Sequence, residues 1–416
     1  MPVSADTHAG LPEERVIESA RRALSSVPGD GVLGLAVSGG GDSMAMLHLA
    51  AALGRPLAVA TVDHGLRPES AAEAAKVAQI CAGLGLPHAV LRWEHGAVAG
   101  NLMQAARRAR YGLLTDWARA QGVATVLVAH TADDQAETVL LGLARAAGLD
   151  GLAGMRPLWE QGGVVFRRPL LAVTRAALRG YLTQRGLWFV DDPSNDDPAY
   201  DRVKMRRALQ GLAGVGITAP GLAAVAGHLA AVQSDVRGLV AEAAARLVVE
   251  RAGALEIDRA GFAALPGEVA RRLLQAGLMW LSGAAHAPRA PALARMGAAL
   301  RRGQAATLAG CRMVPRGGGM VLVREARALG PEVPLGAVWD GRWRVTGAGA
   351  GVVRALGPAG LAQLPDWRSA GLLRAVAEAT PAVWEGETLR AAPLVTEAKG
   401  FAATLTAGFG LFLLSH

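Results

Sequence analysis

The stretch Leu33-Gly34-Leu35-Ala36-Val37-Ser38-Gly39-Gly40-Gly41-Asp42-Ser43 runs an apolar strand straight into a glycine-rich turn that opens a helix. Three consecutive glycines let the backbone approach an anion closely and take positive φ, so several N–H groups converge on it. The helix beginning near Ser43 adds its positive end, and Ser38 and Ser43 add hydroxyl donors. A Walker A loop would need a Gly-Lys-Ser/Thr ending, and the pair Gly-Lys occurs nowhere in the chain. Asp42 stands there instead. A carboxylate beside a phosphate nest repels the ligand unless a divalent cation lies between them, so the turn reads as a site for a nucleotide or pyrophosphate with its Mg2+. Gly29, Gly31 and Gly34 also match GxGxxG, but they precede the strand rather than follow it, and read as a loop.

Outward from that turn, short apolar runs alternate with amphipathic stretches. Leu57–Val62, His88–Trp93, Ala124–Ala129 and Val164–Phe166 read as strands; Ala71–Leu84, Asn101–Arg119, Asp133–Ala146 and Thr174–Arg185 read as helices. This alternation predicts an α/β domain with a parallel, doubly wound sheet, whose ligands sit at the carboxyl ends of the strands. The residues that follow strands are Ser38 to Ser43, Asp63 to Arg67 and His130 to Glu137. The alternation fades at Asp191-Asp192-Pro193-Ser194-Asn195, the expected exit from the first domain. Gly221 to Leu300 is rich in Ala, Leu and Arg at helical spacing, as in Leu229–Arg251 and Val269–Leu281. Val338 to Val345 reads as a hairpin turning at Asp340-Gly341, and Gly317-Gly318-Gly319 as another hairpin turn. The expected domains are 1–215 (α/β), 216–330 (mainly helical) and 331–416 (small, α+β).

At 416 residues the chain exceeds one ordinary core, and 51% hydrophobic with 19% charged residues is a globular composition. No window offers about 18 uninterrupted apolar residues, and the N-terminal residues lack a basic flank before an apolar core, so a cytoplasmic protein without a membrane partner is expected. A net charge of +8 and a pI near 10.4 point to a polyanionic partner. Of the 43 basic residues only Lys76, Lys204 and Lys399 are lysine, which leaves a Schiff-base mechanism almost no nucleophile. Cys81 and Cys311 are far apart and form no CxxC pair.

Two segments at the ligand edge carry further chemistry. Asp63-His64-Gly65-Leu66-Arg67 sets a carboxylate, an imidazole and a guanidinium after the second strand. His130-Thr131-Ala132-Asp133-Asp134-Gln135-Ala136-Glu137 follows the fourth; at helical spacing His130 shares a face with Asp134, and Asp133 with Glu137. Such oxygen ligands suit magnesium, which takes one or two protein carboxylates and completes its shell with phosphate and water.

Ser38-Gly39-Gly40-Gly41-Asp42-Ser43 resembles the SGGxDS signature of the PP-loop ATP pyrophosphatases. Taken with Val62 to Arg67, Ala129 to Thr138, the run from Asn101 through Arg107 to Arg110-Tyr111, and Asp192 to Arg206, it is similar in order and spacing to the tRNA(Ile)-lysidine synthase family over roughly residues 30 to 210. The resemblance implies adenylation by ATP of the C2 oxygen of the wobble cytidine in tRNA(Ile) with a CAU anticodon. Free L-lysine then displaces AMP through its ε-amine. It also implies pyrophosphate and ATP contacts at Ser38, Gly39, Gly40, Gly41, Asp42, Ser43, Asp63, His64 and Arg107, and magnesium at Asp42 and Asp134 with Asp133 beside them. Catalytic contacts fall to Asp42, His130, Asp134, Arg110, Arg202 and Arg206. The chain departs from the family pattern at Thr131, where a second histidine is common, at Val203, where Asn is usual, and at Ala146, where Gly is common. The sequence does not fix the oligomeric state, and a homodimer is open. The alternatives are a sulfur-inserting PP-loop enzyme acting on tRNA, which the two isolated cysteines do not favour, and a PP-loop amide ligase, for which no glutaminase segment precedes Val32.

Overall fold

The computed structural model describes residues 13–66, 68–96, 100–191 and 201–415. The chain divides into two compact units, Met1–Gln233 and Ser234–His416. Unit 1 carries helices α1 (Glu13–Ser25), α2 (Gly41–Ala51), α3 (Ser70–Gly83), α4 (Leu102–Ala120), α5 (Ala132–Ala144), α6 (Leu149–Leu152), α7 (Arg175–Gln184) and α8 (Asp201–Leu212). Its strands are β1 (Leu33–Ala36), β2 (Leu57–Asp63), β3 (His88–Arg92), β4 (Thr125–Val128), β5 (Leu158–Gln161) and β6 (Val164–Arg167). They form one sheet in the order β3-β2-β1-β4-β6-β5, parallel throughout except for the edge strand β5. Each predicted strand and helix of this unit is present within two residues of its expected ends, and β5 is added.

The order explains where a ligand belongs. The winding reverses between β1 and β4, so their carboxyl ends flank the crevice at the topological switch point. All four residues of β1 are buried, with a core of Leu35, Met44, Leu47 and Leu178 on one face and one of Tyr111, Leu114, Val126 and Phe166 on the other. Gly34 is required by that packing: a Cβ there would lie 3.0 Å from the Val123 and Val126 side chains and 3.1 Å from Trp117.

Helix α5 ends in a Schellman motif, with Ala146 N–H donating to Leu143 O at 3.0 Å and Ala147 N–H to Gly142 O at 2.9 Å. Ala146 therefore sits at φ +50°, in the left-handed region that glycine adopts most readily. A left-handed L-residue costs roughly 1–2 kcal/mol, and glycine returns about half of that through its freer unfolded chain. Ala146→Gly is expected to raise stability by about 0.5–1 kcal/mol, read as a melting temperature roughly 1–4 °C higher; a lower one would contradict this account of the turn.

From Ala219, helix α9 (Ala219–Leu247) crosses the boundary between the units. Unit 2 then holds α10 (Arg259–Ala264), α11 (Gly267–Ser282) and α12 (Ala290–Arg302), as the helical periodicity predicts. Within that stretch the predicted helix Leu229–Arg251 stops at Leu247. Val248–Arg251 (β7) and Ala254–Asp258 (β8) form a hairpin instead, because two β-branched residues precede a turn whose residues Ala252 and Gly253 both take positive φ. β8 pairs with Gly319–Arg324 (β11), giving a five-stranded antiparallel sheet with Cys311–Arg316 (β10) and Ala306–Leu308 (β9). The hairpin turns expected at Gly317 and at Asp340-Gly341 are both present. The remaining strands build two small antiparallel sheets with short helices, the α+β character expected of the chain's end. Among the described residues no single helix is long and apolar enough to cross a membrane.

Candidate active site

The glycine turn leaves β1 at Val37 and enters α2 at Gly41. Gly39 takes φ +89°, which a side chain would strain, and its carbonyl accepts from Val190 N–H at 2.9 Å, fixing the rim of the turn. Ser43 braces the inside: its hydroxyl accepts from Ser38 N–H at 3.1 Å and donates to Gly40 O at 2.9 Å. Ser38 and Ser43 hydroxyls lie 3.2 Å apart. Gly40, the residue before α2, has no side chain to cap it, and the helical ladder begins with Met44 N–H to Gly40 O. The N–H groups of Asp42 and Ser43 precede that bond and have no backbone acceptor among the described residues, the condition of a helix start that binds anions.

Across the switch point, α5 begins at Ala132, two residues after His130, so His130 lies outside the helix rather than on its face. Thr131 caps it, and Asp134 completes a capping box, its Oδ2 accepting from Thr131 N–H at 2.8 Å and from the Thr131 hydroxyl at 3.0 Å. The residue that departs from the family pattern thus has a structural task of its own. His130 precedes the helix and is buried. Arg168, at the end of β6, donates from Nε to His130 Nδ1 at 3.0 Å. That bond makes Nδ1 the acceptor and leaves the ring proton on Nε2. Burial pushes the imidazole down to about 3, with Arg168 and Arg110 adding to the effect against Asp134, so His130 is a neutral donor at working pH.

The carboxylates meet at Arg175, a residue the sequence reading passed over. Its Nε donates to Asp42 Oδ2 at 3.2 Å, Nη2 to Asp134 Oδ1 at 3.1 Å and Nη1 to Glu137 Oε1 at 3.5 Å, while its backbone N–H donates to Asp133 Oδ2 at 2.7 Å. Arg206 adds Nε to Glu137 Oε1 at 3.1 Å. Burial raises the Asp42 carboxyl to about 6 even though Arg175 opposes it. Asp134 is also penalised by burial, but Arg175, His130 and the Thr131 bonds outweigh that and hold its pKa low. One signal in the sequence could have marked Arg175: a cation at the first position of α7, after the cap Thr174, opposes the helix dipole and so calls for acidic partners.

On the other side of His130 lies a pole of opposite sign. A cavity of about 400 Å³ is lined by Arg107, Tyr111, Met155, Arg156, Trp159 and Arg168. Arg168 lies 4.0 Å over the Trp159 ring, and Arg107 and Arg110 flank Tyr111. Burial, reinforced by Arg107, lowers the Arg110 pKa, and burial with Arg110 lowers that of His64.

Other predicted positions separate from this centre. Asp63 Oδ1 accepts from Gly65 N–H at 3.0 Å and from the Ser70 hydroxyl at 2.7 Å, which commits that oxygen to the turn leading into α3. Asp133 serves through the backbone of α7. Arg202 is exposed on α8. Arg67 and residues 192–200 lie outside the described residues.

Residues 12–212 match the PP-loop domain family. The tRNA(Ile)-lysidine synthase of Ruegeria pomeroyi is 49% identical over 92% of this chain and 94% of its own length. The chain belongs to the tRNA(Ile)-lysidine synthase family. The lysidine synthase of Zymomonas mobilis is 39% identical over 72% of this chain and 90% of its own. A solved U34-tRNA thiolase from Methanococcus maripaludis aligns at 15% identity over 52% of this chain and 77% of that one, with a TM-score of 0.44. As a PP-loop ligase of the lysidine synthase family, the chain uses ATP. Its two cysteines are both buried, in separate cores, where burial pushes each thiol up to about 11.

The residues present fit a divalent cation. Asp42 Oδ1 is buried without a hydrogen-bond partner, and the carboxylates of Asp42, Asp134 and Glu137 share the guanidiniums of Arg175 and Arg206. Among the described residues no three His, Cys, Asp or Glu side chains could hold an ion by themselves.

Proposed function

We propose that the protein joins free L-lysine to C2 of the wobble cytidine of tRNA(Ile) bearing a CAU anticodon, in the cytoplasm, with ATP as the activator. The observation that carries this reading is the meeting, at one switch point, of an uncapped glycine turn, a carboxylate cluster and an arginine-lined cavity. In the first step the cytidine O2 attacks the α-phosphorus of ATP, the α–β bridging bond breaks and pyrophosphate leaves. In the second the lysine ε-amine attacks C2, and AMP leaves with the original oxygen.

Each part of the site has a task in that sequence. The free amides of α2, with Ser38 and Ser43, suit the pyrophosphate, because donors fixed in advance cost no reorganisation when charge develops. Magnesium held by Asp42 and Asp134 would supply charge neutralisation on the polyphosphate. Arg107, Arg110 and Arg168 offer cations to the adenylate and to the phosphates beside the target nucleotide, and His130 donates from Nε2. A carboxylate beside the incoming lysine ammonium would orient it and accept its proton. Exposed Arg202 and the regions 216–330 and 331–416 are assigned to the tRNA.

Pyrophosphate release from ATP is expected to require the cognate tRNA. Affinity for that tRNA should fall steeply with salt, with a log–log slope near −0.7 per phosphate neutralised, rising toward −0.9 in paired regions. Release without tRNA, or a flat salt response, would contradict this reading.

A further inference from the structure

Arg175 stands where the carboxylates converge. Its guanidinium reaches Asp42 from α2 and both Asp134 and Glu137 from α5, with N···O distances of 3.1–3.5 Å. Asp134 Oδ2 is held by Thr131, so a magnesium ion, with its oxygens at about 2.0–2.1 Å, would compete with the Arg175 guanidinium for Asp134 Oδ1 while meeting Asp42 through its unpartnered Oδ1. The position of the arginine is unusual for a merely structural ion pair. It occupies the first residue of α7, where the helix dipole disfavours a cation, and it ties together two elements that follow different strands.

We propose that the Arg175 guanidinium is a built-in stand-in for the divalent cation. It holds Asp42, Asp134 and Glu137 in register while no metal is bound, and it gives up Asp134 when metal and nucleotide arrive. The guanidinium then exchanges that carboxylate for the phosphates that come with the cation, so the charge balance of the pocket is kept. Without such a stand-in, several acids packed beside the uncapped start of α2 would repel one another and spread. Arg206 also donates to Glu137, from α8. Arg175 is in this sense a positioning residue, and the inference rests on Asp42 and Asp134 being the metal ligands.

The test is the affinity of the ATP-free full-length protein for Mn2+ alone, followed by the paramagnetic resonance of free Mn2+. Arg175→Met removes the charge and keeps the stem. It is expected to bind Mn2+ roughly 10- to 100-fold more tightly than the wild type, since a unit charge a few ångströms from a partly buried ion is worth that much in affinity. Its melting temperature should fall without metal and recover on adding Mn2+, while that of the wild type barely moves. A purely structural arginine would lower the melting temperature but leave metal affinity unchanged or weaker. Arg175→Lys, which keeps the charge but cannot bridge three carboxylates, should fall between the two, and it carries the test if the Met variant does not fold. Equal Mn2+ affinity in wild type, Arg175→Met and Arg175→Lys would overturn the proposal. Mn2+ affinity unaffected by Asp42→Asn and Asp134→Asn, with ATP present or absent, would instead show that the metal ligands are misassigned.

Discussion

Asparagine in place of Asp134 is expected to cut tRNA-dependent pyrophosphate release by about 100- to 1,000-fold, the scale on which a single preorganised electrostatic contact acts. The fold should survive. Asn keeps a carbonyl oxygen for the Thr131 N–H bond now made by Oδ2, so the start of α5 stays capped. What it loses is the charge on Oδ1, which faces Arg175 and, in the proposed reading, the metal. Asp42→Asn should behave alike, because its buried Oδ1 has no hydrogen-bond partner. Asp63→Asn is the informative contrast. Its Oδ1 is engaged by Gly65 N–H and the Ser70 hydroxyl, so an effect there should appear as local destabilisation with a much smaller change in turnover. Single-turnover measurement of pyrophosphate with matched circular dichroism separates these outcomes, and near-normal release by the Asp134 variant would sink the assignment.

Alanine in place of Glu137 should have the largest effect on stability in this centre. The Glu137 side chain is 2% exposed and its Oε1 accepts from both Arg175 and Arg206. Its removal strips a buried carboxylate from two partly buried guanidiniums and loosens the contact between α5 and α8. A loss of about 3 kcal/mol is expected, at the low end for a broken buried pair because Arg175 retains Asp42 and Asp134. For a unit of this size that is a melting temperature lower by roughly 6–12 °C. Glu137→Gln, which keeps one acceptor for Arg206, should lose about half as much. Calorimetry without metal reads both; an Ala variant as stable as the wild type would mean that the charges are already solvated.

The first unit was legible because its signals are local. An apolar run, a glycine turn and amphipathic periodicity each fit within a dozen residues, and the parallel order follows from their alternation. The hairpin β7–β8 was not, since Ala-rich helical spacing runs up to Leu247 and only Val248-Val249 and the positive φ of Ala252 and Gly253 break it. β8 is also completed by β11, some 60 residues further on, a pairing that no local window carries. The same reason explains the site. Asp42 and Asp134 announced themselves by motif, whereas Arg175 lies 133 positions from Asp42 and is recruited only by the packing of α7 against α2. Spacing puts His130 on the α5 face, but Thr131 starts the helix after it, and the imidazole is oriented by Arg168, which follows β6. Asp63 adds a task that its place at the ligand edge does not announce: its Oδ1 braces the turn that carries it.

In the proposed function this site activates a tRNA base with ATP so that lysine can be joined to it. The most direct test is to incubate the protein with ATP, Mg2+, radiolabelled L-lysine and bulk tRNA, and to count acid-precipitable label that survives mild alkaline deacylation. Stable label in tRNA, lost when ATP is omitted or when Asp134 is Asn, is the predicted result; pyrophosphate release with no lysine entering the tRNA would contradict it.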